Sequence, residues 1–291
     1  MLRAAIRGLA TYVPGVNYLH RRCTHTGGSD SASYCYAVWL RHLVSSHKHG
    51  LCHAVPRRVA ELGPGDSIGM GIAALLSGAE MYYGLDALPL ANLSRNLTVL
   101  DGLVALFRER ARIPDFDFPH ELIEFDESRV PKVRDSILNA GASSMIRYVA
   151  PWWESCRIER GTINMIFSTS VLEHVEDLSV TYQAMREWLA PNGWISNQID
   201  FRCHGIARDW NAHWMYEDWL WRLLRGRRLF FLNRQPHSTH MQLMSEAGFS
   251  VVVNRIAEGP ALPRERLAAR FRNLSDADLT TSGAFIQARL T

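Results

Sequence analysis

Residues Val59–Asp86 read VAELGPGDSIGMGIAALLSGAEMYYGLD. Arg58–Leu62 has the composition of a short buried strand and runs into Gly63-Pro64-Gly65, where glycine lets the backbone approach a ligand closely. From Ser67 to Ser77 the apolar residues Ile68, Ile72, Leu75 and Leu76 fall at helical spacing, with Gly78 as the stop. A second apolar run, Met81–Leu85, ends on Asp86. Strand, glycine turn, helix, strand and acid together predict the crevice of a nucleoside-binding α/β sheet. A carboxylate at that strand end can accept from both ribose hydroxyls.

The group carried by the ribose is decided by Glu61. A dinucleotide site uses G-x-G-x-x-G, and here the third glycine arrives one residue late, at Gly69. A carboxylate two residues before the first glycine repels a pyrophosphate and attracts an ammonium. Glu61-Leu62-Gly63-Pro64-Gly65 resembles motif I of the class I S-adenosylmethionine-dependent methyltransferases, E/D-x-G-x-G, with Ser67 where a third glycine often stands.

A second block carries the same resemblance. Ile163–Ser168 is a continuous apolar run, as in a parallel strand buried on both faces. It leads into Thr169-Ser170-Val171-Leu172-Glu173-His174-Val175, a helical stretch from Asp177 to Leu189, the turn Ala190-Pro191-Asn192-Gly193 and a fifth strand, Trp194–Phe201. A strand ending in S-x-x-x-L-E-H-V, followed by L-x-P-x-G, is similar to the second half of those methyltransferases, and the resemblance spans about residues 57 to 256. Asn164 replaces the acid that many members carry early in the fourth strand.

The resemblance implies a doubly wound, Rossmann-like sheet of seven strands whose last pair forms an antiparallel edge. It implies S-adenosylmethionine as cofactor, with Asp86 on the ribose, Glu61 toward the methionine ammonium, Gly63 and Gly65 at the close approach, and Ser168 at the end of the fourth strand. After the third strand, Met145–Val149, any of Trp152, Trp153 and Glu154 suits adenine, by stacking or by accepting from its amine. Two other readings are a nicotinamide-dependent oxidoreductase, disfavoured by Glu61 and the late glycine, and a non-catalytic cofactor-binding module.

Residues 1–56 form an expected N-terminal helical cap, with residues 57–291 as the catalytic domain. Within the cap, residues 1–13 read as a short amphipathic helix, and Tyr34–Leu43 as a helix whose Tyr34, Tyr36 and Trp39 line a pocket or simply pack. Leu88–Arg110 is helical in pattern, Ile113–Ile137 reads as a long surface excursion, and Arg264–Arg272 as a short helix. An insertion at about 202–235 is rich in tryptophan and arginine. Trp210, Trp214 and Trp221 fit one helical face, either a core contact or a substrate cap, and Arg225, Arg227 and Arg228 suit an anionic substrate or a solvated face.

With 291 residues, 47% hydrophobic and a formal charge of +3, the chain fits one domain with additions and gives no electrostatic footprint for nucleic acid. Five cysteines without C-x-x-C suggest a reducing cytoplasm, and no apolar run is long enough to span a membrane. Methyl transfer from a sulfonium needs no metal, and none is expected. The acceptor is expected to be a small molecule, plausibly a hydroxyl of a sugar or glycolipid intermediate. A hydroxyl needs a base. His204 is preferred, four residues beyond Asp200, with His174 next and His213 as a further candidate.

Overall fold

The computed structural model describes residues 8–13, 28–139, 144–155, 158–228 and 230–291. Seven strands form one sheet: β1 Arg58–Leu62, β2 Met81–Leu85, β3 Ile146–Val149, β4 Ile163–Thr169, β5 Leu189–Asp200, β6 Phe249–Glu258 and β7 Thr281–Leu290. Their order is β3-β2-β1-β4-β5-β7-β6. β1 to β5 pair in parallel, and β7 runs antiparallel to both β5 and β6. The expected doubly wound sheet is therefore present, with its reversed strand lying inside the edge.

Alternation along the strands divides the interior into two cores. Val59, Tyr82, Phe167 and Trp194 face α1 (Ala32–Lys48), α2 (Gly69–Ser77) and α3 (Leu93–Arg108), while Ala60, Leu85, Ile166 and Ile195 belong to the opposite core. α4 (Arg129–Leu138) joins the first layer through Val133. A one-turn helix, α5 (Trp152–Ser155), follows β3. α6 (Leu178–Trp188) and α8 (His237–Glu246) cover the second face, whereas α7 (Asp218–Arg225) lies in the insertion and α9 (Asp276–Thr280) precedes β7. Side-chain caps start four of these helices: Ser31 accepts from Tyr34 N, Asn92 from Arg95 N, Asp177 from Val180 N and Ser275 from Asp278 N.

Several local expectations are corrected. The stretch read as a surface excursion ends in α4, because Pro131 sits in the first helical turn, where a missing N–H costs nothing. The helix expected from Leu88 begins only at Leu93, after the Asn92 cap. Arg264–Arg272 forms two 3-10 turns, held by the Arg264 guanidinium on the carbonyls of Arg272 and Leu274. Trp210, Trp214 and Trp221, expected on one helical face, share no helix. Trp214 lies on the 3-10 turn Ala212–Met215 and Trp221 on α7.

Tyr36 and Trp39 are core residues, their polar atoms satisfied by Ala111 O and Ser77 Oγ. Asn164 has a structural task, accepting from Arg58 N at the start of β1. The expected N-terminal amphipathic helix falls largely outside the described residues. Residues 8–13 pack on the insertion, where Thr11 Oγ1 accepts from Arg227 N at 2.7 Å.

Tyr82 ties the first core to the carboxyl edge of the sheet. Its ring lies under Gly71 of α2, so closely that a Cβ there would meet the ring at 2.2 Å. Its hydroxyl donates to Glu61 Oε2 at 2.5 Å. Gly71→Ala should force the ring aside and cost about 1–3 kcal/mol. Urea unfolding checks this, and an unchanged midpoint would refute the contact.

Candidate active site

Parallel pairing places Glu61 opposite Gly84 and Leu62 opposite Leu85, so the glycine turn and Asp86 leave the sheet side by side. Gly63 and Gly65 have φ of +66° and +74°. At Gly63 glycine is also required by space, since a Cβ would lie 2.5 Å from Val171 Cγ2. Gly65 N donates to the Asp86 carboxylate at 2.9 Å and Ala87 N at 2.6 Å. Burial raises the Asp86 pKa, while these N–H donors oppose the rise. The Asp86 carbonyl accepts from Trp152 N at 2.9 Å, which brings the turn after β3 to the same edge.

Glu61 lies in the sheet, 1% exposed. Burial pushes its carboxyl up to about 8, against the opposing Tyr82 hydrogen bond, and the nearby Asp86 adds to the rise. An incoming ammonium is the species best able to ionise such a group. The turn itself is covered by the segment before α1: Ser67 N donates to Ser29 Oγ at 3.2 Å, and the Ser67 hydroxyl bonds the Ser29 carbonyl. Asp66 pairs with Arg95 at 3.2 Å. Two acids flanking a glycine turn form an acceptor set for hydroxyls and an ammonium, not a site for phosphate. In this respect the residues fit S-adenosylmethionine.

A second group of polar residues sits where β4 and β5 end. The 3-10 turn Leu172–His174 carries Glu173 and His174, and the loop after β5 carries Arg202 and His204. Asp200 accepts from Arg202 Nε and Nη2, each at 2.8 Å, and lies 3.4 Å from His204 Nε2. Burial works to raise the Asp200 carboxyl, but the bonds from His204 and Arg202 outweigh it and hold it below the usual range. The His204 and His174 rings meet edge-on at 5.1 Å. Burial, with His204 adding to it, lowers His174 to about 4. Glu173 is buried, pushed up to about 8 chiefly by desolvation, and neither of its oxygens has a protein partner. Glu173, His174 and His204 each offer a ligand atom within 4.8 Å of the others, so this trio could hold a metal ion.

The insertion closes over this turn. Asn233 Nδ2 donates to the carbonyls of Leu172 (2.7 Å) and Val175 (2.9 Å), and Asn233 N donates to the Glu173 carbonyl. Trp214 is wholly buried in a separate small core with Phe271 and Leu267, its indole N–H on the Arg234 carbonyl. Arg234 lies over the faces of Trp221 and Phe271.

A family model described as a methyltransferase domain matches residues 49–254, well over half the chain. The chain belongs to the methyltransferase-domain family. Its sheet order, glycine turn and Asp86 are those of a class I S-adenosylmethionine-dependent methyltransferase. No curated protein sequence matches it. Among solved structures it is similar to an S-adenosylmethionine-dependent methyltransferase from Mesorhizobium loti, at 14% identity over 82% of this chain and 94% of that one, TM-score 0.44. The YcgJ protein from Bacillus subtilis matches at 11% identity over 87% and 98% of the two chains, TM-score 0.44. A phosphoethanolamine N-methyltransferase 2 from Haemonchus contortus matches at 13% identity over 89% of this chain and 56% of that one, TM-score 0.44.

The methyltransferase thus brings His204, His174 and Asp200 into one cluster, and places Glu61, Gly63, Gly65 and Asp86 in another. Two further residues stand apart. The Ser168 hydroxyl is committed to Asn197 Oδ1 at 2.8 Å inside the sheet. Trp153 is 56% exposed at the rim, while Trp152 packs edge-on against Trp188, and the Glu154 side chain lies outside the described residues. His213 is buried against Trp214, its Nδ1 without a partner, and is lowered to about 3 by burial and then by Arg234. Arg225 pairs with Glu176, Arg227 lies over Tyr12 and Arg228 over Phe231, so all three have partners within the chain. Glu173 and Tyr82 were missed as site residues. The first stood in the quoted L-E-H-V run, and the second shows only once β2 is paired.

Two outcomes follow for the cofactor crevice. Asp86→Ala should weaken S-adenosylhomocysteine binding by about 1.5–3 kcal/mol, the worth of hydrogen bonds to a charged group, as read by calorimetry. Glu61 keeps its proton to about 8 when folded, whereas an unfolded glutamate loses it near 4.3. Its contribution to stability is therefore complete below about 4.3 and is lost as pH rises through 8, with a slope of at most about 1.4 kcal/mol per pH unit. Glu61→Gln should shrink the fall in Tm between pH 5 and 8, and an unaltered fall would contradict the buried-acid assignment.

Proposed function

We propose that this enzyme methylates a hydroxyl of a small polar acceptor, plausibly a sugar or glycolipid intermediate, with His204 as the base. The observation that supports this most is the bridge between the two clusters. Val171 touches Gly63, and three residues later His174 meets His204, which pairs with Asp200. Cofactor turn and acid–base group are thus linked by a single turn of chain.

S-adenosylmethionine, when bound, supplies an electrophilic methyl group on a sulfonium. The protein's own part is alignment and proton handling. In the tautomer that turns Nε2–H toward Asp200, 3.4 Å away, the His204 ring presents Nδ1 as the proton acceptor, and Asp200 stabilises the imidazolium that results. Arg202 keeps Asp200 ionised. A guanidinium beside the cluster already provides positive charge there, which favours a proton-handling role over a metal. The acceptor is assigned to a cavity of about 610 Å³ that Ser170, Gln198, Asp200 and Arg202 line at one end. That volume suits a small molecule. It lies beside the acid–base group rather than at the glycine turn, which the Ser29 segment covers.

Residues 1–56 serve in this reading as a cap, α1 forming one wall of the cavity, and residues 202–235 as the lid over the Leu172–Val175 turn. A cytoplasmic setting is supported by Cys35, Cys52 and Cys203, which are free and buried. Among the described residues no helix is long and apolar enough to cross a membrane. Nucleic acid is not the expected substrate.

Screening sugars and glycolipid fractions for methyl incorporation identifies the acceptor. His204→Ala should then lower turnover by about 10²–10⁴ while leaving S-adenosylhomocysteine affinity intact. Turnover close to wild type on a hydroxyl acceptor would remove His204 from the role.

A further inference from the structure

The same cavity is bounded by α1 on one side and by β5, β7 and β6 on the other, and its two ends differ in charge. At one end Arg202 is neutralised by Asp200. Along α1, Arg41 is neutralised by Asp115. The remaining two cations of the lining, Lys48 and Arg255, have no carboxylate partner among the described residues. Lys48 lies over Phe116, its Nζ 5.5 Å from the ring centre. Arg255 lies over Phe285 at 4.6 Å and donates from Nη2 to Ser45 Oγ at 3.0 Å.

Arg255 is anchored from below, although the residue itself is exposed. Ser45 is buried and donates to Gln287 Oε1 at 2.9 Å, and Gln287 Nε2 donates to the His42 carbonyl, Ser46 Oγ and Ser196 Oγ. Stacking on one face and a tether on one nitrogen fix the guanidinium while leaving its other donors toward the cavity. Such a preset fork suits a planar or tetrahedral oxyanion. The positive field reaches the floor: His42, buried and bonded to Ser196, is lowered to about 3 first by burial and then by Arg255 and Arg41.

We propose that the acceptor is an anion, its carboxylate or phosphate held by Arg255 and Lys48 while its hydroxyl lies at Asp200, the cavity-lining neighbour of His204. This rests on the reading of the cavity as the acceptor site. The spans agree. Gln198, Phe285 and Arg255 lie in one row across β5, β7 and β6, and Asp200 is two residues further along β5. At about 4.8 Å between strands, the anion end and the base end are roughly 10–12 Å apart, backbone to backbone. A hexose bearing one charged substituent has the right reach once both side chains extend inward.

Glucose 6-phosphate, glucuronate and glucose are titrated into the full chain by calorimetry, with and without S-adenosylhomocysteine. At least one anion should bind roughly tenfold or more tighter than glucose, with an advantage that shrinks in salt. Which anion prevails distinguishes phosphate from carboxylate. Arg255→Gln and Lys48→Gln should each remove most of the advantage, and Arg255→Lys should restore part of it. Equal binding of all three, binding of none, or an advantage that survives Arg255→Gln overturns the proposal. Absence of S-adenosylhomocysteine binding would instead count against the methyl-transfer reading, and the anion preference remains measurable without cofactor.

Discussion

A carboxylic acid buried in a sheet must be neutral, paired or both, and Glu61 is held there by a single phenol. The geometry around it follows from accommodating that bond. Tyr82 reaches Glu61 only because β1 and β2 run in parallel with Glu61 two residues beyond the pair Val59–Tyr82, and so on the same face. Gly71 is bare because the ring passes beneath it. The acid is therefore fixed two residues before the positive-φ turn, and the turn in turn donates Gly65 N to Asp86. Displacing the phenol would leave a desolvated acid without its partner, a cost of the kind that single substitutions seldom survive unharmed.

The acid–base cluster depends on different forces. Desolvation dominates Glu173 and His174, whereas charge-assisted bonds dominate at Asp200. Three ionisable groups gathered around His204 are thus driven toward different protonation states by position alone. Such divergence between neighbours characterises sites that move protons. Arg202, two residues from Asp200, holds the cluster's one firmly ionised acid.

The sheet was legible because its signals are local and repeated. Unbroken apolar runs such as Ile163–Ser168 mark strands covered on both faces, and a glycine pair between a strand and a helix has few other uses. α4 escaped because a proline in its first turn resembles a breaker. The tryptophan stripe misled because helical spacing across two separate turns is a coincidence that only the backbone reveals. His204, His174 and Asp200 were nameable from strand ends, but their meeting was not, since it depends on where the β5 loop folds back. Tyr82 and Arg255 were invisible as site residues. Their roles come from parallel and antiparallel register, and a chain read one residue at a time carries no register.

Asn233 gives the cluster a place in time as well as in space. The carbonyls of Leu172 and Val175 find their donor about 60 residues later in the chain, beyond β5 and near the end of the insertion. As the chain emerges from the ribosome, β1 to β4 can pair before that donor exists. The nucleotide half of the domain is then formed while the turn bearing Glu173 and His174 still lacks its latch. The proton-handling turn therefore gains its latch only after the strands that carry the cofactor crevice have been made.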